Sequence, residues 1–211
     1  MAYIGSKPAN KPVVASDLDP TVITGQTALA VAPADTDEFL ISDGGVLKRL
    51  DASLVGGGGI TNAQQWRVTT DFTGDADPIT SNWEQADSDS PGIIGDAMSQ
   101  SSGVFTFPST GIYYIAFQVS ARNPSSSSLY QSNVIGATTD NSSFSSAAEN
   151  HLSIYATNAY GNSNTAFLFD VTNTSTHKVR FSVSDQSDNT ITLGDSNNHR
   201  TGVTFIRLGN T

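Results

Sequence analysis

The chain has 211 residues, enough for one domain with a substantial core plus a smaller module. Only 14% of it is charged and 37% hydrophobic, with Ser, Thr, Asn and Gly filling the gap, a composition of extracellular or virion β-proteins rather than of cytosolic helical enzymes. A net charge of −10 with ten scattered basic residues sets nucleic acid aside, and the lack of cysteine excludes a disulfide framework, a thiolate metal site and a thiol nucleophile.

The opening "MAYIGSKPANKP" has no apolar stretch of the kind that opens a secretory signal, and no run of apolar residues is long enough to cross a membrane. Export by that route and membrane insertion are therefore not expected. Residues 1–16 have few apolar groups, carry Pro8 and Pro12 and show no period, so they read as an extended arm. Residues 17–55 read as a small β-rich module. Within it "DEFLISDGGVLKRLD" predicts a β-hairpin, because the turn at Asp43-Gly44-Gly45 supplies the positive φ that tight hairpins require. "DASLV" then predicts a single helical turn capped by Asp51. The run Gly56 to Gly59 places a linker at 56–64, since successive glycines make no side-chain contacts and lose most entropy on ordering.

From 65 to 211 the chain reads as short strands between Ser, Asn, Asp and Gly turns, with no helical period. Strands are predicted over 66–72, 93–98, 103–107, 112–121, 129–138, 151–156, 165–171, 178–183, 190–193 and 202–208. That number and spacing predict an all-β fold, an antiparallel β-sandwich or jelly roll. Alternation puts Phe167, Phe169 and Val171, and likewise Val179, Phe181 and Val183, on core faces. The strand "IYYIAFQVSA" is apolar on both faces at its start. Tyr113, Ile115, Phe117 and Val119 take one, and Ile112, Tyr114 and Ala116 the other, which turns polar at Gln118 and Ser120.

Catalytic signatures are missing: there is no G-x-S-x-G, H-E-x-x-H, P-loop or G-x-G-x-x-G. His151, His177 and His199 stand apart in polar contexts and read as solvated loop or strand-end residues. Asp75/Asp77 and Asp87/Asp89 have a D-x-D spacing from which a loop calcium site is conceivable, with solvated acidic turns as the simpler reading, so no metal or other cofactor is assigned. Glutamate occurs only at 38, 84 and 149, a thin supply for paired-carboxylate glycoside hydrolysis, and the chain is read as non-enzymatic. Tyr130, after "SSSS", and Tyr160, in "NAYGN", are candidate ligand-binding aromatics in polar loops; the alternative is that each packs its loop onto the sandwich.

The segment "SSGVFTFPSTGIYYIAFQVSA" resembles the central signature of the complement globular-head and tumour-necrosis-factor-like jelly rolls, and "RTGVTFIRLGNT" is similar to their last strand. The segments "AYIGSKPA" and "ADTDEFLISDGGVLKRLDASLV" resemble parts of tailed-phage fibre and virion appendage proteins. The first resemblance implies a homotrimer in which Ile112, Tyr114 and Ala116 face the threefold axis. The second implies a virion location, with the N-terminal arm, Ala2, Tyr3 and Ile4 within it, docking on another phage structural protein. Together they imply a distal knob that adheres to a host surface glycan or protein. The alternative is a capsid or tail decoration protein with a purely structural role.

Overall fold

The computed structural model describes residues 21–31, 33–34, 36–55, 59–88, 92–125, 128–184 and 189–211. Ala2, Tyr3 and Ile4, the whole arm and Gly56 to Gly58 lie outside the described residues. The chain separates into two compact units, Met1–Gly58 and Gly59–Thr211.

In the first unit, strands β1 (Glu38–Asp43) and β2 (Val46–Asp51) form the expected antiparallel hairpin, with Phe39 opposite Leu50 and Leu40 opposite Arg49. Gly44 and Gly45 make the turn at φ of 59° and 83°, a region closed to most side chains. Asp43 extends the strand rather than the turn and pairs with Lys48, while Arg49 meets Glu38 at 2.6 Å. A 3-10 turn follows over Ala52–Leu54, but Asp51 does not cap it through its side chain. That residue is still the last rung of the ladder, opposite Glu38. Leu40 and Leu47 stay exposed because two strands offer too little surface to bury both faces.

The second unit is a β-sandwich with the jelly-roll character that the strand spacing predicts. Its strands are β3 (Ala63–Val68), β4 (Phe72–Thr73), β5 (Trp83–Gln85), β6 (Ile93–Ile94), β7 (Ser99–Ser101), β8 (Val104–Thr106), β9 (Gly111–Arg122), β10 (Ser128–Thr138), β11 (Ser145–Ile154), β12 (Tyr160–Val171), β13 (Lys178–Ser184), β14 (Ile191–Thr192) and β15 (Gly202–Gly209). The larger sheet runs β4-β14-β9-β15-β3-β5, with β12 on the free side of β9 and β6 against β3; the smaller runs β11-β10-β13-β8-β7. All pairings are antiparallel.

The sandwich begins before the expected boundary at 65. Asn62 is 3% exposed, its Nδ2 donating to the Asp96 carbonyl, and Ala63 and Gln64 already pair in β3. The predicted strand 66–72 is interrupted after Val68, and 93–98 shrinks to Ile93–Ile94. Polar β7, short β5 and the first half of β11, "SSAAEN", carry no hydrophobic alternation, so nothing in their local pattern marks them as strands.

The signature segment is explained by packing. Gly103 sits at φ 78° with the Ile79 carbonyl oxygen 2.1 Å from where a Cβ would stand, so only glycine fits. Phe105 and Phe107 then point into the core, where Phe105 meets Trp83, Trp66, Phe181 and Phe205 at centroid distances of 5.2–5.5 Å. Phe107 packs on Tyr113 at 4.7 Å, and the Tyr113 hydroxyl reaches back to Ser109 at 3.0 Å, tying the turn to the strand after it. The indole of Trp83 donates to the Ile79 carbonyl at 2.8 Å, so the ring is buried with its polar group satisfied.

Candidate functional site

Along β9 the alternation resolves as the sequence predicts. Tyr113, Ile115, Phe117 and Val119 have no exposed surface, while Ile112, Tyr114 and Ala116 lie on the outer face of the larger sheet. Register extends that outer face sideways. Tyr114 stands between Leu168 of β12 and Ile206 of β15, Ile206 is opposite Ala63 of β3, and Ala63 is opposite Ile94 of β6. An unbroken apolar row therefore crosses five strands, with Leu168 59% and Ile94 46% exposed. Between Ile94, Ile206 and Ala63 it sinks into a shallow, mostly apolar groove of about 220 Å³. Single exposed apolar residues are ordinary, but a contiguous row on a flat sheet face marks an interaction surface.

Toward the other end of β9 the same face becomes polar row by row. Ala116 lies between Ala166 and Thr204, and Thr204 accepts from Gln65 Nε2 at 2.9 Å. Beyond it Gln118 donates to the carbonyls of His199 and Arg200, and Ser120 donates to Asn162 Oδ1 at 2.6 Å. Arg67, on this face, is 1% exposed and held by Glu84 and Asp87 at 3.1 and 2.6 Å. The dry part ends near Ala116. Sequence reasoning missed Leu168 and Ile206 as members of this face, although each is the outward partner in a strand whose inward residues alternate cleanly.

The candidate ligand-binding tyrosines gather at one end of the sandwich. Tyr160 opens β12 opposite Arg122, the last residue of β9, and is 69% exposed. Tyr130 belongs to strand β10 rather than to a loop, with its ring edge-on to His151 at 5.5 Å. Ser128 pairs with Ile154, so Leu129 and Tyr155, 86% and 89% exposed, stand at this same end. Ala63 and Gly209 lie at the opposite end, toward Tyr114 and Ile112. Tyr155 escaped the sequence reading; its only local mark is an aromatic residue directly before the turn residues Ala156-Thr157-Asn158.

The titratable groups are tied into structure. His177 is buried, not solvated: it stacks on Phe169 at 5.6 Å and bonds Thr172 and Thr176 at 3.1 and 3.0 Å, because the turn before β13 folds back on the core. His199 is largely covered, its Nδ1 buried without a partner, and desolvation followed by the nearby Arg67 charge lowers its affinity for a proton. His151 stays exposed, 4.0 Å from Glu149. Asp77 accepts from Ser182 at 2.6 Å and Asp87 pairs with Arg67, while Asp89 lies outside the described residues. Asp140 accepts from the Thr138 hydroxyl and then from backbone N–H groups of its own turn, and Asp195 from backbone N–H groups of its turn, which lowers both pKa values. Among the described residues no three His, Asp or Glu side chains cluster as a metal site, and no helix is long and apolar enough to span a membrane.

No known protein family matches the chain in sequence, and no curated protein does. Solved structures do match its fold. A structure of Eiger TNF from S. frugiperda superimposes with a TM-score of 0.51 at 14% identity, covering 71% of this chain and 93% of that one. Murine APRIL at pH 5.0 gives 0.50 at 13% identity, covering 70% and 98%. At such identities the likeness establishes a shared jelly-roll architecture and nothing finer.

Proposed function

We propose that the chain is a non-enzymatic, homotrimeric phage virion appendage, attached to the particle through its N-terminal arm and presenting the sandwich as a distal head for adhesion to a host surface. The observation that carries the trimer is the apolar row Leu168, Tyr114, Ile206, Ala63 and Ile94 on one sheet face. Burying it between copies removes apolar surface from water at roughly 25 cal/mol per Å², without any cysteine cross-link. The resemblance of the strand before it to trimeric jelly rolls supports the same reading. Attachment through Ala2, Tyr3 and Ile4 rests on the resemblance of the N-terminal segments to virion proteins.

The polarity of the sandwich supports the adhesive role. Its first strand enters at the Ile112 end, and the exposed aromatics Tyr130, Tyr155 and Tyr160 lie at the other. Three such ends on one particle-bound trimer raise avidity over a single weak contact.

Mass measurement in solution tests the assembly: three times the 22.1 kDa subunit is expected, and a monomer at micromolar concentration sinks the interface. Deletion of residues 1–16 is expected to leave a folded trimer that no longer joins the particle; unimpaired incorporation removes the arm's role. Purified residues 60–211 are expected to bind host cells, with loss of binding in a Tyr155→Ala, Tyr160→Ala variant. Absence of binding across plausible hosts turns the reading to a decoration protein.

A further inference from the structure

The outer face of the smaller sheet, turned away from the apolar row, holds a polar groove of about 220 Å³ that none of the roles above uses. Arg180 of β13 crosses it, opposite Gly136 of β10. A Cβ on Gly136 would stand 3.1 Å from Arg180 Cγ, so the missing side chain is what lets the arginine lie down along the sheet. Phe144, from the turn between β10 and β11, places its ring 4.7 Å from the guanidinium carbon and holds it by a cation–π contact. The guanidinium is thus fixed on two sides while making no hydrogen bond to another described residue; its ion-pair partner among the described residues, Asp77 Oδ1, is 3.8 Å away. Asp77 is positioned in turn by Ser182, which donates to its Oδ1 at 2.6 Å, and its side chain remains 60% exposed. Exposed Ser146 completes the wall.

The geometry points to a saccharide site, occupied by a neutral hexopyranose through adjacent hydroxyls. A pre-positioned fork of N–H donors beside a carboxylate acceptor and a serine hydroxyl offers both halves of what a sugar hydroxyl needs, since each hydroxyl donates and accepts. Charge selects the neutral class. Arg180 and Asp77 cancel locally and the chain carries −10, so a carboxylated sugar gains little at the arginine and is repelled at long range. The groove is open and shallow, which sets the expected affinity of a single sugar in the millimolar range, useful only when several copies engage together. The biological use of this site rests on the adhesive reading; its chemistry does not.

The test is a titration of the isotope-labelled full-length protein with glucose, galactose and mannose, and with galacturonate as the carboxylated probe, read by amide chemical shifts. Saturable shifts are expected at Gly136, Ser146 and Ser182 with at least one neutral hexose. Arg180→Lys and Asp77→Asn should each weaken it by about tenfold, as loss of a charge-assisted hydrogen bond does. Because either change disturbs a native contact, Ser146→Trp, which fills the groove from an exposed position, provides the second variant and should abolish the shifts with the fold unchanged. Shifts confined to Tyr130, Tyr155 and Tyr160 overturn the groove and leave the adhesive head standing. Shifts nowhere, undiminished affinity in the variants, or tighter binding of galacturonate overturn the assignment, while host-cell binding and solution mass report on the trimeric appendage separately.

Discussion

The two sheets of the sandwich share a core but differ on their outsides. Outward residues of the larger sheet form an apolar row from Leu168 to Ile94, whereas outward positions of the smaller sheet carry Ser132, Arg180, Ser182 and Ser184, with Ser132 donating to Glu149 and Ser182 to Asp77. On the smaller sheet two of these outer serines are satisfied by carboxylates of the same chain. The larger leaves an apolar row in which Leu168 and Ile94 are exposed. A sandwich needs one dry face per sheet, so a second apolar face on only one of them is the feature on which the proposed trimer interface rests.

The comparison is broken most severely by removing what the sheets share. Phe181 has no exposed surface and touches Trp83, Phe105, Phe117 and Phe205; Phe181→Ala should cost about 3–5 kcal/mol in denaturant unfolding, by the usual cost of a large core cavity. A wild-type midpoint would mean that the two sheets do not pack as one core.

The difference between the outer faces is sharpened by placing the same charge on each. Tyr114→Asp should convert a trimer to a monomer of unchanged circular dichroism, because a carboxylate cannot be buried unpaired between copies. Ser146→Asp, exposed on the outer face of the smaller sheet opposite Gly136, should leave the mass untouched. Equal behaviour of the two variants would erase the distinction.

A smaller effect comes from the polar end of the larger sheet. Burial and Arg67 hold the His199 imidazole below its ordinary 6.5, so the unfolded chain takes up this proton first. Stability from this group is present in full above pH 6.5 and declines as the pH falls below it; His199→Asn should flatten that decline in unfolding titrations. A slope unchanged in the variant would assign the decline below pH 6.5 to groups other than His199, and not to Asp140 and Asp195. Their lowered pKa values make stability fall only as pH drops below the ordinary carboxylate value of 3.8. The smallest change is a gain: Thr192 Oγ1 is buried without a partner, and Thr192→Val should raise stability by up to about 1 kcal/mol, read as a shifted midpoint.

Local sequence pattern by itself determined much of the molecule. Two-residue alternation identified β9, β12, β13 and β15 and both faces of β9, because a strand's side chains alternate whatever lies beside it. The glycine pair at 44–45 determined the hairpin for an equally local reason, the positive φ of its turn. Tertiary structure alone decided the rest. Strands "SQS" and "SSAAEN" exist because a neighbour offers a ladder, not because their residues prefer one. His177 became a core residue through the fold of a turn, and Arg67 was buried by carboxylates 17 and 20 positions away in the chain. Likewise Ile112, Tyr114 and Ala116 were legible as a second apolar face of one strand. That this face continues through Leu168, Ile206, Ala63 and Ile94 depends on register between strands, which no single stretch of sequence contains.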